Sequence, residues 1–351
     1  MNGYFSDTAL IKTPPIKRAA YSDRTAWLLA EISRLVYEPL PCEESSVALI
    51  PAIRDAIAKG EEDTVLEALI SRARRQGIHP DNDVVEILEN GQFDLVESFA
   101  ENGTEAMLVK LKPDGDFAGM LILVFRGTQP NIKDVLTDIK ADLVNAEECN
   151  GRVHRGFQDA FKPLKKRISD ALGEHKGIPL YITGHSLGGA LALLATRLLC
   201  NDSIGACYTY GCPRVADDVF FEGIKTPVYR VVNAADGVAK VPFGYGFSSA
   251  LGLLRLIPIN GTFQIAEWLR KYFLGYTHYG TLVFLSDAAN IKDDTGIDFK
   301  DLQVKNSPNI FWRISIVLPR LIATRFKAAA SDHAIRDYSA KLLAHAQRRN
   351  Q

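Results

Sequence analysis

The sequence predicts an α/β fold with a mostly parallel central sheet and helices on both faces, and three observations carry that prediction. From residue 120 onward strand-like and helix-like patterns alternate, and such alternation implies crossovers between parallel strands. The segment 120–125 is too continuously apolar for a strand with one wet face. A glycine-rich turn at 184–189 stands where an apolar strand gives way to a helix. The composition agrees, since 351 residues with 47% hydrophobic and 24% charged side chains can bury a large core. It excludes disordered, collagen-like and coiled-coil chains.

Each element follows in order. The portion 20–90 reads as helical: Ser22 can cap a helix whose residues Leu28, Ile32, Leu35 and Val36 share one face, and further helical patterns lie near Ile53 and over 64–74. Residues 77–80 break this opening, and 105–111 and 120–125 then read as strands. Helices are expected over 133–143, 157–172 and 187–199, and strands over 180–183, 204–210 and 227–232. The stretch 241–266 carries Arg255 as its one charge but is interrupted by Pro242 and Pro258, so it reads as part of an apolar insertion, 241–275, before the last strand. With no internal repeat and no Gly/Ser-rich linker, the chain is expected to form a single domain over 1–351, with 20–90 and 241–275 as decorations.

Forty-one Lys and Arg face 42 Asp and Glu, a formal net charge of -1, so no global field draws in nucleic acid. Five cysteines, Cys42, Cys149, Cys200, Cys207 and Cys212, make no disulfide framework and fit a reducing compartment. Residues 1–17 lack the basic start, apolar run and cleavage site of a secretory signal. The uncharged run 177–196 contains Pro179, His185 and glycines that suit a strand, turn and helix better than a membrane span. The expected location is therefore cytoplasmic, without a signal peptide or transmembrane helix.

Chemistry concentrates at Gly184-His185-Ser186-Leu187-Gly188, a G-x-S-x-G pattern between strand and helix. A serine on so sharp a turn has its hydroxyl lifted clear of the backbone, and glycines on either side avoid collision with the adjoining strand and helix. Ser186 is the expected nucleophile. It needs an imidazole to accept its proton and a carboxylate to orient that imidazole. Among the downstream acids Asp202, Asp217, Asp218, Glu222 and Asp236, Asp236 directly follows a predicted strand, where such sheets place ligand-facing groups. Three histidines come later: His345 reads as a solvated helix residue, while His333, at a loop-to-helix edge, is favoured over His278 as the base. An oxyanion needs fixed donors, for which the Leu187 N–H and the Thr128 N–H, in the loop Phe125-Arg126-Gly127-Thr128-Gln129, are the candidates.

At these residues the sequence resembles the fungal-type, or class 3, lipase family of the α/β-hydrolase superfamily. The blocks in order are Leu123-Val124-Phe125-Arg126-Gly127-Thr128, Val153-His154-Arg155-Gly156-Phe157, Gly184-His185-Ser186-Leu187-Gly188-Gly189, Tyr210-Gly211-Cys212-Pro213-Arg214-Val215, and Val231-Val232-Asn233 through Asp236 to Val241-Pro242. A segment around Asp332-His333 to Tyr338 resembles the one that carries the family's histidine, which strengthens His333 over His278. The resemblance implies hydrolysis of lipid carboxylic esters, acylglycerol or phospholipid, through an acyl-serine intermediate with no metal or organic cofactor. It also implies a structural role for His154 and His185, and a lid after the oxyanion loop. Ile132, Val135, Leu136, Ile139 and Leu143 line one face of the predicted helix there, which suits either a lid touching a lipid surface or an ordinary surface helix. Peripheral contact with a membrane or lipid surface is thus expected, and nucleic acid is not. An esterase for small soluble esters, an acyltransferase sharing the acyl-enzyme, and a catalytically silent lipid-binding relative remain the alternatives.

Overall fold

The computed structural model describes residues 3–11, 20–41, 84–115, 117, 119–127, 143–200, 202–241, 275–288, 290–293 and 296–350. The helices expected near Ile53 and over 64–74, residues 133–142 of the helix expected over 133–143, most of the 241–275 insertion, Thr128 and Cys42 lie outside the described residues; Leu143, expected at the end of that helix, instead begins a short strand, Leu143–Asn145.

Eight strands form the main sheet in the order β1-β2-β3-β6-β7-β8-β9-β12. Its centre comprises β3 (Met120–Phe125), β6 (Leu180–His185), β7 (Cys207–Tyr210), β8 (Val228–Asn233) and β9 (Thr281–Leu285), all parallel. On one side β1 (Phe93–Glu101) and β2 (Thr104–Leu111) add an antiparallel hairpin, and on the other β12 (Val304–Asn306) pairs antiparallel with β9. Two small ribbons stand apart, β4 (Leu143–Asn145) with β5 (Arg152–His154), and β10 (Asn290–Asp293) with β11 (Gly296–Phe299). Neither the β1 strand nor the strands after β9 were foreseen from the sequence, whereas the last helix, Ile335–Asn350, is the one expected around His345; the apolar insertion precedes β9 rather than the final edge strand.

The period-two alternation of each central strand feeds two cores. Leu121, Leu123 and Phe125 of β3 face α4 (Arg155–Gly173) and α5 (Leu187–Leu198), packing with Phe161, Leu164, Ile168 and Leu191. Ile122 and Val124 face the opposite layer, built from α2 (Asp23–Leu35) and α9 (Ile335–Asn350), which contribute Trp27, Leu28, Tyr338 and Leu342. Ser22 caps α2 by accepting from the Thr25 N–H, as its sequence position predicts. The helix it opens is buried on nearly every side, with Trp27 fully covered, because it is clasped between the sheet and α9. Glu31 accepts a hydrogen bond from Ser339, and Asp23 meets His345 at 3.4 Å and Arg349 at 2.6 Å. His345, read from the sequence as solvated, is therefore mostly enclosed and belongs to this clasp.

The remaining α-helices among the described residues are α1 (Thr8–Ile11), α3 (Val84–Asn90), α6 (Asp218–Phe221), α7 (Ile310–Ala323) and α8 (Ala328–Ser331). The last two lead directly into the loop that carries His333. Parallel strands all end at one edge of the sheet, so the loops after β6 and β8 emerge there together, and α8 brings the C-terminal loop to the same edge.

Candidate active site

Ser186 occupies the turn between β6 and α5 with φ 57° and ψ -125°, a conformation that non-glycine residues adopt only when their surroundings enforce it. Two close approaches enforce it. A Cβ on Gly184 would sit 2.3 Å from the Gly188 carbonyl, and one on Gly188 would sit 2.2 Å from the Phe125 carbonyl oxygen. The glycines of the motif are thus required by backbone packing, and the strand, serine and helix are pressed into one rigid corner.

The Ser186 Oγ lies 2.9 Å from His333 Nε2, and His333 Nδ1 lies 2.9 Å from Asp236 Oδ2. All three side chains are buried, Ser186 to 2% exposure and Asp236 completely. Asp236 follows the end of β8, in a turn where Ala234 takes φ 38°. Its second oxygen, Oδ1, accepts the Val238 N–H at 2.9 Å, which fixes the carboxylate plane. Oδ2 takes a further donor, the Tyr338 hydroxyl at 2.5 Å, which in turn accepts the Asn233 N–H at 3.0 Å. Burial first, and then the adjacent Asp236, hold the Tyr338 phenol well above its ordinary pKa, so it remains a donor.

The loop carrying His333 is pinned from several directions. Asp332 accepts a two-pronged hydrogen bond from Arg320 of α7 and another from the Ala235 N–H at 3.0 Å. The Asn233 amide donates to the Asp332 carbonyl at 2.9 Å, while Lys341 donates to Asn233 Oδ1 at 2.8 Å. His185, next to the serine, bonds the His333 carbonyl through Nε2 at 2.7 Å and Tyr37 through Nδ1 at 2.9 Å. Burial, followed by the neighbouring His333, pushes the His185 pKa well below its usual value, so this imidazole is neutral. It serves as a bracket between α2's trailing loop and the His333 loop. Gly211, after β7, closes the far side: its φ is +57°, and a Cβ there would stand 2.7 Å from Asp236 Oδ2 and 2.9 Å from the His333 ring.

The structure thus brings together Ser186, Asp236 and His333 from three distant stretches of chain. Leu187 opens α5 immediately beside the serine, where first-turn N–H groups have no intrahelical acceptors and face any developing negative charge. Thr128 lies outside the described residues. His278 stands elsewhere, hydrogen-bonded to the Ala239 backbone and close to Arg230, Arg214 and Arg313; burial and those cations push its pKa well down. Sequence reasoning missed Tyr338, Arg320, Asp332 and Gly211 as parts of this arrangement. Gly211 and Tyr338 stood inside recognisable motif blocks, whereas nothing local marked Arg320. A separate cavity of about 410 Å³ near Ile11, Gln92 and Phe117 shares no residue with the Ser186 cluster.

Comparison with known proteins adds an independent line. Residues 122–246 match the family model described as lipase (class 3). A Vibrio cholerae protein named toxin TseL is 41% identical over 120 residues, covering 32% of this chain and 19% of that protein. A lipase from Rhizomucor miehei is 33% identical over 162 residues, 42% of this chain and 43% of that protein. The chain therefore spans less than half the length of these curated relatives. Lipase II from Rhizopus niveus aligns in three dimensions with a TM-score of 0.48 at 19% identity, over 79% of this chain and 93% of that one.

Proposed function

We propose that this chain, which belongs to the fungal-type class 3 lipase family through residues 122–246, is a serine hydrolase that cleaves the carboxylic esters of lipids, acylglycerols or phospholipids. The observation that carries the reading is the unbroken hydrogen-bonded line from Ser186 through His333 to Asp236. In this reading Ser186 Oγ attacks the ester carbonyl as its proton passes to His333 Nε2, and Asp236 stabilises the imidazolium that forms. The Leu187 N–H, with Thr128 as second donor, stabilises the oxyanion of the tetrahedral intermediate. Collapse expels the alcohol, which takes its proton from His333. Water, activated by the same histidine, then releases the acid from the acyl-serine.

Peripheral contact with a lipid surface and a cytoplasmic location belong to the same proposal. In support, Ser186 is almost wholly buried, so a bulky ester reaches it only after the site opens. Cys149, Cys200, Cys207 and Cys212 are free thiols, as a reducing compartment would keep them. Among the described residues no helix is long and apolar enough to cross a membrane.

The test is the initial hydrolysis rate of one medium-chain ester, followed from dissolved monomer through its solubility limit, with Ser186→Ala as blank. The reading expects Ser186-dependent hydrolysis that rises sharply once ester aggregates appear. Saturation while the ester is still dissolved would point to a small-ester esterase, and a rate equal to the Ser186→Ala blank would refute the hydrolase reading.

A further inference from the structure

Helix α7 is apolar on its outer as well as its inner side, whereas a surface helix ordinarily turns one apolar stripe to the core and a polar face to water. Its two arginines turn toward the protein: Arg320 binds Asp332 and Asp287, and Arg313 approaches Arg230 and His278. Trp312, Ile316 and Val317 pack on Val232, Leu282 and Phe284, with the Trp312 and Phe284 rings edge to face at 5.7 Å. The outward side carries Ile310, Phe311, Ile314, Leu318, Ile322 and, just past the helix, Phe326, all between 49% and 80% exposed. These six account for all but two of the large exposed hydrophobic residues among the described residues, so the exposure is concentrated rather than scattered. No charged residue interrupts them within the helix face, which at 14 residues is about 21 Å long.

The end of α7 is a strained turn. Phe326 N–H bonds the Leu321 carbonyl at 2.7 Å and Arg325 N–H bonds the Ile322 carbonyl at 3.1 Å, the paired bonds of a Schellman turn. The left-handed position of that turn normally holds glycine, yet here Arg325 and Phe326 take φ 48° and 65°. Both side chains are exposed, so the strained turn presents an aromatic ring beside a guanidinium, and Lys327 follows. The charge within the stretch between Asp301 and Asp332 is of one sign. Residues 302–331 contain Lys305, Arg313, Arg320, Arg325 and Lys327 but no Asp or Glu. Three of these cations are exposed: Arg325 and Lys327 just past the C-terminal end of α7, and Lys305 with its ammonium over the Trp312 ring, 4.3 Å from the ring centre.

From this juxtaposition of an uncharged apolar face with exposed cations beside it, we infer that α7 is the element by which the protein docks on an anionic lipid surface. An amphipathic helix lying in the membrane interface has this make-up, apolar side chains sunk toward the acyl chains and cations at the headgroups. The position is suited to the site. Beyond α7 the chain runs through α8, whose Ala329 carbonyl holds the Gly237 N–H at 2.9 Å, straight to Asp332 and His333. Docking through α7 thus sets the surface beside both the His333 and the Asp236 loops. The inference rests on the lipid-ester reading for the identity of the surface, and α7 itself lies outside the matched segment 122–246.

The test uses the full chain and vesicles of diether phosphatidylcholine with or without diether phosphatidylglycerol, ether lipids that an esterase cannot cleave. Binding is expected to the anionic vesicles and to weaken with salt. Phe311→Ser with Ile322→Ser should lower partitioning about a hundredfold, from the loss of two large apolar side chains. Arg325→Gln and Lys327→Gln should each lower it about fivefold. Hydrolysis of a dissolved short-chain ester should be unchanged in all of these variants, since none of the substituted side chains bonds Ser186, His333 or Asp236. Undiminished vesicle binding by the Phe311→Ser, Ile322→Ser protein would overturn the inference. So would a wild-type protein that ignores vesicles but dimerises through this face, or one whose melting temperature falls with these substitutions while binding is unaltered, which would mean that the face is covered by protein. Vesicle binding as expected from a chain without ester hydrolysis would sink the hydrolase reading and leave the docking surface standing.

Discussion

Removing one oxygen atom from Tyr338 tests how the acid of the Ser186 cluster is held. The hydroxyl is fully buried, donates to Asp236 Oδ2 at 2.5 Å and accepts the Asn233 N–H at 3.0 Å, so Tyr338→Phe keeps the ring and severs both bonds. Leaving the Asn233 N–H without an acceptor costs about 1–3 kcal/mol, and loss of a hydrogen bond to a charged carboxylate costs about 1.5–3 kcal/mol. The two share an atom and are not independent, so the expected destabilisation is about 3 kcal/mol. At about 2 °C per kcal/mol for a chain of this size, Tm should fall by roughly 6 °C. Catalysis should suffer less. Asp236 retains His333 and the Val238 N–H, both at 2.9 Å, so the imidazole stays oriented. One donor's weakening corresponds to about a tenfold loss in kcat, against a loss of about 10⁴ when the acid of such a triad becomes an amide. Calorimetry together with kcat and KM on a dissolved short-chain ester reads both quantities. An unchanged Tm and kcat would refute the reasoning. A kcat collapse equal to that of Asp236→Asn would show that Tyr338, rather than the backbone amide, holds the carboxylate.

Three further outcomes follow from other parts of the structure. Gly188→Ala drives a Cβ into the Phe125 carbonyl, backbone against backbone, and should destabilise by more than about 4 kcal/mol; soluble protein with wild-type Tm would contradict the packing of the serine turn. Arg320→Met leaves the nearly inaccessible Asp332 carboxylate without its cation, and because Arg320 is itself 27% exposed the loss should fall near the low end of about 3–5 kcal/mol, measured by urea denaturation. Burial alone would raise Asp23, but His345 and Arg349 outweigh it and hold the carboxyl below 3.8. A depressed acid stabilises the fold above its unfolded pKa and loses that contribution as pH falls through the folded one, so Asp23→Asn should flatten the acid limb of the Tm profile below about pH 4. An identical acid limb in the variant would remove Asp23 from the α2–α9 clasp.

What could be read from the sequence had a local cause. Continuous apolar runs gave β3 and the start of β6, the glycines around Ser186 gave the strained turn, and Ser22 announced the start of α2. Asp236 and His333 were found because each stands at a boundary between regular elements, where a sheet edge offers side chains to a ligand. The hairpin of β1 and β2 escaped although Asn102-Gly103, both at positive φ, is the commonest signal for its two-residue turn. Its first strand carries a bulge between Leu95 and Glu97 that breaks the alternation and blurs the pattern. The supports of the Ser186 cluster were illegible for a different reason. Tyr338 meets Asp236 across 102 residues, His185 meets His333 across 148, and Arg320 matters only because Asp332 lies under it once α7 has packed on β9 and β8. Such contacts are properties of the assembled sheet edge, and no spacing in the chain encodes them. The exposed apolar face of α7 is similar: its sequence is apolar with scattered arginines, and only the packing shows which side faces out.

The central claim is that Ser186 is a nucleophile made reactive by His333 and Asp236. Reaction of the folded chain with a fluorophosphonate, read by intact mass and by the mass of the modified peptide, tests it most directly. The account predicts one adduct per chain, located on Ser186, absent in Ser186→Ala, slowed by several powers of ten in His333→Ala and unaffected in His278→Ala. A folded protein that takes no label, that is modified on another residue, or that labels equally fast without His333 would contradict it.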